Sequence, residues 1–317
     1  MMTKKVKLVA SLLSLGIAVA DVSIASASVN IEDPLFIAQQ NDGYTKLFVG
    51  GNFKETDKYG YQDRMLRLYG EVGHSFTDRL MLSLKMAFSG NYSEKRKGLQ
   101  KANFEALYRI VNSKIKLDLI GGASFGGLMK SEAEFSASGI QPTNYSYGMY
   151  GAIFGMRFGG KISERLTIAT LIEGTYRFSK NNSFEAKVDA GIVNGIADAS
   201  FKDLFDFYAQ TSTSYELNDK LYLNTKISYQ YYDGKIIQDV NGSNIGVNTL
   251  IKAKKLKGKN LHDSWSEYGF GSSLMYSFNE SAQIGPYAEY LLGGHMSRGA
   301  VKMKYRGEYG IKFNAKF

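Results

Sequence analysis

The chain has 317 residues, 44% hydrophobic and 22% charged, with 34 Gly, 22 Tyr, 3 Pro, no Cys and a formal net charge of +9. The absence of Cys excludes disulfides, iron–sulfur clusters and thiol catalysis. Mean hydropathy is negative, and beyond the amino terminus no stretch is long and apolar enough for a membrane helix.

The amino terminus carries Lys4, Lys5 and Lys7, then an apolar run from Leu8 to Ala20 and two small-x-small sites, Ala18-Val19-Ala20 and Ala25-Ser26-Ala27. This order reads as a secretory signal, residues 1–27, cleaved after Ala27 or, as the alternative, after Ala20. A short periplasmic segment follows, residues 28–43. Within it Asp33-Pro34 before Leu35, Phe36, Ile37 and Ala38 reads as a helix start. The segment is either a disordered leader or a plug.

A short element then recurs: an apolar residue, Ser/Thr/Asn, usually an acid, usually a base, and an apolar residue. Its copies are Phe76–Leu80, Val111–Ile115, Ile162–Leu166, Leu217–Leu221 and Phe278–Ala282. Small polar residues tolerate turn dihedrals and bond locally, so each copy is a tight hairpin turn. Longer polar segments alternate with these turns, near 54–63, 93–101, 127–144, 179–203, 233–264 and 293–303. Five turns and six loops predict twelve strands over residues 44–317.

Each intervening stretch alternates. Leu66, Leu68, Val72 and Phe76 oppose Arg67, Tyr69, Glu71 and Ser75; Phe104, Ala106, Tyr108 and Ile110 oppose Asn103, Glu105 and Arg109. Tyr150, Phe154, Met156 and Phe158 oppose Gly151, Gly155 and Arg157; Ile168, Ile172 and Tyr176 oppose Thr167, Glu173 and Arg177. A soluble sandwich has the same period. Three features favour a membrane: strand length, aromatics at the strand ends (Phe76, Phe158 and Phe278 at one, Tyr92, Phe178 and Tyr231 at the other), and the last strand. That strand places Tyr305, Gly307, Tyr309, Ile311, Phe313, Ala315 and Phe317 on one parity and Lys304, Arg306, Glu308, Gly310, Lys312, Asn314 and Lys316 on the other.

With an export signal at one end and a terminal aromatic strand at the other, the chain resembles Gram-negative outer-membrane β-barrels. The resemblance implies an all-β fold: a single antiparallel transmembrane barrel of about twelve strands, with short periplasmic turns and longer extracellular loops. It also implies residence in the cell outer membrane and export through the Sec pathway. Implied partners are outer-membrane lipids and lipopolysaccharide, small polar solutes, and the barrel-assembly machinery, which would read Tyr309, Ile311, Phe313 and Phe317. Nucleic acid is excluded as a partner, because an exported chain does not meet the genome and the positive charge is dispersed. The exceptions are basic clusters at Lys95-Arg96-Lys97 and at Lys252, Lys254, Lys255, Lys257 and Lys259.

Taken as lumen, the polar parity is lined by near-equal numbers of bases and acids. The bases include Lys46, Arg67, Lys85, Arg109, Lys116, Arg157, Arg177, Lys226 and Arg306. The acids include Glu71, Glu105, Asp118, Glu173, Asp206, Glu267, Glu289 and Glu308. Several lie two or four apart on one strand: Arg67/Glu71, Glu105/Arg109, Glu173/Arg177 and Arg306/Glu308. They either stand apart across water and set selectivity, or pair into a salt-bridge network that seals the barrel. The apolar run Val188–Ala199 in the fourth loop either folds inward or forms an extra hairpin.

Three histidines do not make an active site. His74 belongs to the outward parity, and His262 and His295 fall in separate loops. No phosphate loop or metal-ligand spacing occurs. The sequence therefore implies a non-enzymatic, porin-like channel without cofactor or metal. The alternatives are an autotransporter-type translocator, which lacks a passenger here, and a closed structural or adhesive surface barrel.

Overall fold

The computed structural model describes residues 30–317 except 57–59, 92–96, 127–134, 137–138, 141–148, 179–180, 188–193, 234, 254–256, 259, 263, 294 and 297–300. The signal reading, Tyr92, Lys95, Arg96, Lys254, Lys255 and Lys259 thus lie outside the described residues.

Twelve long strands follow one another: β1 Gly43–Thr56, β2 Gly60–Ser75, β3 Leu80–Asn91, β4 Lys97–Asn112, β5 Ile115–Gly126 and β6 Gly151–Ser163, then β7 Leu166–Arg177, β8 Leu204–Asn218, β9 Leu221–Tyr232, β10 Trp265–Ser277, β11 Ala282–Leu292 and β12 Val301–Lys316. Each pairs antiparallel with the next, and β12 returns to pair with β1, from Tyr44↔Lys316 to Thr56↔Met303. The ring is closed, so no barrel edge is left open for its backbone groups to meet lipid unpaired.

The turns work as their chemistry dictates. Thr77 Oγ1 accepts from the backbone N–H of Arg79 and Leu80 at 3.2 and 2.9 Å. Asn279 Oδ1 does the same for Ser281 and Ala282, at 2.9 and 2.8 Å. Asn218 Oδ1 accepts from Lys220 N at 3.0 Å. A single side-chain oxygen after the apolar residue thus closes the hairpin.

The oily parity faces outward. Val72, Phe104, Tyr108, Phe154, Met156, Ile227, Phe270, Tyr309 and Ile311 are exposed, while Ser83, Asn103, Glu105, Arg109, Asp118, Glu267 and Asn314 are buried. A soluble barrel would show the reverse. The aromatic ends Phe76, Phe158, Phe178, Phe278 and Phe317 also lie on the exterior. His74 is there too, edge-on to Phe76 with centroids 5.0 Å apart.

Beyond the barrel, Asn181–Lys187 and Asn194–Phe201 pair antiparallel; of the fourth-loop run Val188–Ala199, residues 188–193 lie outside the described residues. Lys235–Gly242 and Asn260–His262 of the fifth loop complete a four-stranded sheet. Helix α1, Ile245–Ala253, is capped by Asn244, whose Oδ1 accepts from Val247 N at 2.9 Å. His262 pairs by its backbone with Lys235, and His295 with Lys302, so the two sit on separate ribbons.

Candidate functional site: the ion-paired lumen and its amino-terminal occupant

Inside the barrel the charges pair, but not along the strands. The same-strand pairs Arg67/Glu71, Glu105/Arg109, Glu173/Arg177 and Arg306/Glu308 are not formed. Residues four apart on one strand, as in three of these pairs, lie about 13 Å apart, farther than the roughly 5 Å to an adjacent strand or the roughly 10 Å to the strand beyond it. Partners are therefore chosen across the wall. Arg67 meets Glu308 at 2.8 Å, Arg177 meets Asp206 at 2.7 Å, Lys226 meets Glu289 at 2.9 Å and Arg306 meets Glu267 at 2.6 Å. Lys85 bonds Glu105.

Three of these pairs reach over an intervening strand, Arg306–Glu267 spanning β11. Lys226 on β9 and Glu289 on β11 both face Gly271 of β10. A Cβ at Gly271 would lie 2.7 Å from Lys226 Cε, so glycine leaves the room in which the pair forms. At the closing seam, Gly50 of β1 faces both Arg67 and Gly310. The Phe48 ring lies over Gly50 and Gly310, where Cβ atoms would approach it to 2.5 and 2.7 Å.

The most deeply buried group is one rung across three strands. The register aligns Arg109 of β4, Asp118 of β5 and Arg157 of β6. Asp118 is fully buried and accepts from Arg109 Nε at 2.7 Å and from Arg157 Nη2 at 2.6 Å. Two cations on one anion leave spare guanidinium N–H groups, and these capture the chain's own amino-terminal segment. Arg109 Nη2 donates to Leu35 O at 2.8 Å and Arg157 Nη2 to Phe36 O at 3.2 Å.

Residues 30–38 thus run inside the barrel at the end that holds the short turns, and Gln39–Asn41 are exposed at that rim, where Gln40 N–H donates to Asp78 Oδ1 at 3.2 Å. The segment is not helical; it makes two turns, Asp33 N–H donating to Asn30 O and Phe36 N–H to Asp33 O at 3.0 and 2.9 Å. Asp33 Oδ1 takes the Leu35 N–H at 2.7 Å, so the acid that suggested a helix start ties a turn instead. Ile31 and Ala38 are buried in a cluster with Tyr44, Met81, Leu107, Ile120 and Ile153, flanked by Phe36, Ile37 and Leu171. Met81, Leu107, Ile120 and Ile153 are apolar residues on inward positions, breaks in the polar parity that the alternation alone passes over. They form the surface on which the segment docks.

Polar contacts complete the docking. Ile31 N–H donates to Gln283 Oε1 at 3.1 Å, and Asn30 Nδ2 to Ser214 Oγ at 2.6 Å. Glu32 is held by Lys312 at 2.6 Å and by Asn314 Nδ2 at 3.2 Å. Burial alone would raise the Glu32 carboxyl. The charges of Lys312 and Lys46, with the hydrogen bonds from Lys312 and Asn314, outweigh it and hold the group down at about 2.

Beyond the segment lies a cavity of about 520 Å³. Every barrel strand except β5 contributes to its wall, and Glu32, Asp33 and Pro34 contribute the segment's side. Among the predicted lumen residues, Lys46, Glu71, Lys85, Glu105, Arg157, Glu173, Arg177, Asp206 and Lys226 face this space. Glu71 accepts hydrogen bonds from the Tyr44 and Tyr69 hydroxyls at 2.6 and 3.2 Å. At the far end of the chain, Tyr309, Ile311 and Phe317 are exposed and Phe313 half-buried, in a strand that pairs with β1 and β11. No cluster of His, Asp or Glu able to hold a metal occurs among the described residues.

No family model and no curated protein matches the chain. Solved structures do. An outer-membrane channel from Pseudomonas putida F1 superposes with a TM-score of 0.59 at 10% identity, covering 92% of this chain and 100% of that one. The CymD monoaromatic hydrocarbon channel gives 0.48 at 11% identity, covering 92% and 95%; the NanC porin gives 0.45 at 12%, covering 86% and 100%. At such identities the likeness is one of fold. A closed antiparallel ring of twelve strands, apolar outside and ion-paired within, is the architecture of a transmembrane β-barrel, and its fold is similar to that of the Pseudomonas outer-membrane channel.

Proposed function

We propose that the chain is a narrow, porin-like outer-membrane channel for passive diffusion of small hydrophilic solutes or ions, closed at its periplasmic mouth by residues 30–38. The observation that carries this reading is the cavity, bounded by eleven of the twelve strands and lined by charges of both signs. A barrel built only for structure needs no such space. Charges of both signs at its wall suit polar solutes and oppose apolar ones. In this reading Arg67, Glu71, Glu105, Arg109, Arg157, Glu173, Arg177, Glu267, Glu289, Arg306 and Glu308 shape the lumen's field. The exterior supports contact with outer-membrane lipid. Tyr309, Ile311, Phe313 and Phe317 serve as the assembly signal, and residues 1–27 are removed on export.

Planar-bilayer recording tests the proposal. The mature chain should give small or rare openings, and a variant beginning at Asp42 should give stable steps several-fold larger. Absence of conductance from both refutes the channel and favours the closed surface barrel, the reading that the filled periplasmic end supports.

A further inference from the structure

Glu32 is held as a soluble ligand would be. Both of its carboxylate oxygens are taken, Oε2 by Lys312 Nζ at 2.6 Å and Oε1 by Asn314 Nδ2 at 3.2 Å. The donors belong to the barrel wall. Lys312 and Asn314 are successive inward positions of β12, and the register sets Lys46 of β1 directly opposite Asn314. Asn314 is fully buried, and the Lys46 charge bears on Glu32. The acceptor, in contrast, comes from a segment about 280 residues earlier in the chain.

This receptor opens on the cavity, whose wall includes Lys46, Lys312 and Asn314. An aromatic flank adjoins it. Phe48 and Tyr287 stand edge-to-face with centroids 5.4 Å apart, and Lys312 Nζ lies 4.4 Å from the Tyr287 ring centre. Cationic and amide donors fixed on paired strands, beside an aromatic surface, form a preorganised site for a small organic acid. The cavity volume of about 520 Å³ falls within the range of roughly 300–1,000 Å³ common for small-molecule sites.

We propose that Lys312, Asn314 and Lys46 form a binding site for the carboxylate of small organic acids, with Glu32 as its tethered resting occupant. The inference rests on the reading of the lumen as a solute pathway. A solute carboxylate competes with Glu32, and its binding loosens the segment that fills the mouth. A tethered group competes at an effective concentration on the order of millimolar, so free acetate displaces it poorly. An aryl carboxylate gains contact with Tyr287 and Phe48 and competes better.

The test uses acetate and benzoate as probes, with calorimetry on the refolded chain, on Glu32→Ala and on Glu32→Ala/Lys312→Met. Retention of the folded, heat-modifiable gel form controls for misfolding, and Glu32→Ala/Lys46→Met serves as a second double variant. Removing the occupant should raise acetate affinity at least tenfold. Removing Lys312 as well should return it to the starting level or below, and benzoate should bind more tightly than acetate throughout. Equal affinity in the chain and in Glu32→Ala overturns the site, as does undiminished binding in both double variants or equal competition by chloride. Conductance of the same preparations separates this from the channel reading. Potassium chloride current without acetate binding removes the site and leaves the pathway. Acetate binding without current removes the pathway and leaves the site.

Discussion

Replacing Asp118 by Asn tests whether the buried rung holds both the wall and the segment inside it. The carboxylate is fully buried and serves two guanidinium groups, with contacts of 2.7 Å from Arg109 and 2.6 Å from Arg157. An amide offers one oxygen to those two cations and turns its own NH2 toward one of them. Removing one partner of a buried ion pair costs about 3–5 kcal/mol, chiefly because the remaining charges lose their compensation. Water in the neighbouring cavity favours the lower figure, about 3 kcal/mol. The arginines can relieve the strain by swinging away, which releases Leu35 O and Phe36 O. A Glu-specific protease acting at Glu32 of refolded protein reads this release. Cleavage should accelerate by about two orders of magnitude, since each 1.4 kcal/mol is roughly tenfold in an opening equilibrium. The guanidinium-chloride midpoint should fall in parallel. A triple replacement, Asp118→Leu with Arg109→Met and Arg157→Met, should recover much of the lost barrel stability while leaving the segment loose. If Asp118→Asn matches the parent in both cleavage and midpoint, the rung does not hold the segment and the reasoning fails.

Three further outcomes are expected. The Glu32 carboxyl lies at about 2 in the folded chain against an ordinary 4.5. Its contribution, roughly 3 kcal/mol, is therefore complete above pH 4.5 and is lost as pH falls through 2. Segment release followed by fluorescence of a dye attached at residue 30 should stay flat from pH 5 to 8 and rise below about pH 4; a transition near neutrality contradicts this. Gly271→Val intrudes on the Lys226–Glu289 pair, whose side chains are partly buried. It should cost about 1 kcal/mol and shift the reversal potential of the variant beginning at Asp42 toward anions as Lys226 is freed; an unshifted potential refutes that role. Deleting Phe317 removes both backbone bonds between residues 317 and 43, of 2.7 and 2.9 Å. Outer-membrane yield should fall several-fold while detergent refolding persists; normal yield in cells dismisses the terminal aromatic as an assembly signal.

What could be read without coordinates was whatever repeats locally. Alternation at period two states which residues share a face, and Thr77, Asn218 and Asn279 close their turns with bonds two or three residues long. Strand count, the outward oily parity and the inward charges follow from such short-range rules, because lipid imposes one solvent requirement on every strand alike. The partners of those charges obey no local rule. Arg67 passes over Glu71 on its own strand and takes Glu308 from β12, because ring closure and register bring the two together across Gly50. Met81, Leu107, Ile120 and Ile153 look like lapses in a polar pattern until the segment they cover is in place. Asp33-Pro34 suggested a helix in isolation, yet inside the barrel the wall supplies the bonds that a helix would have made for itself. Periodicity decided the wall, because each strand meets the same two solvents. Tertiary closure decided what fills it, because contacts between Glu32 and Lys312 exist only once β12 has paired with β1.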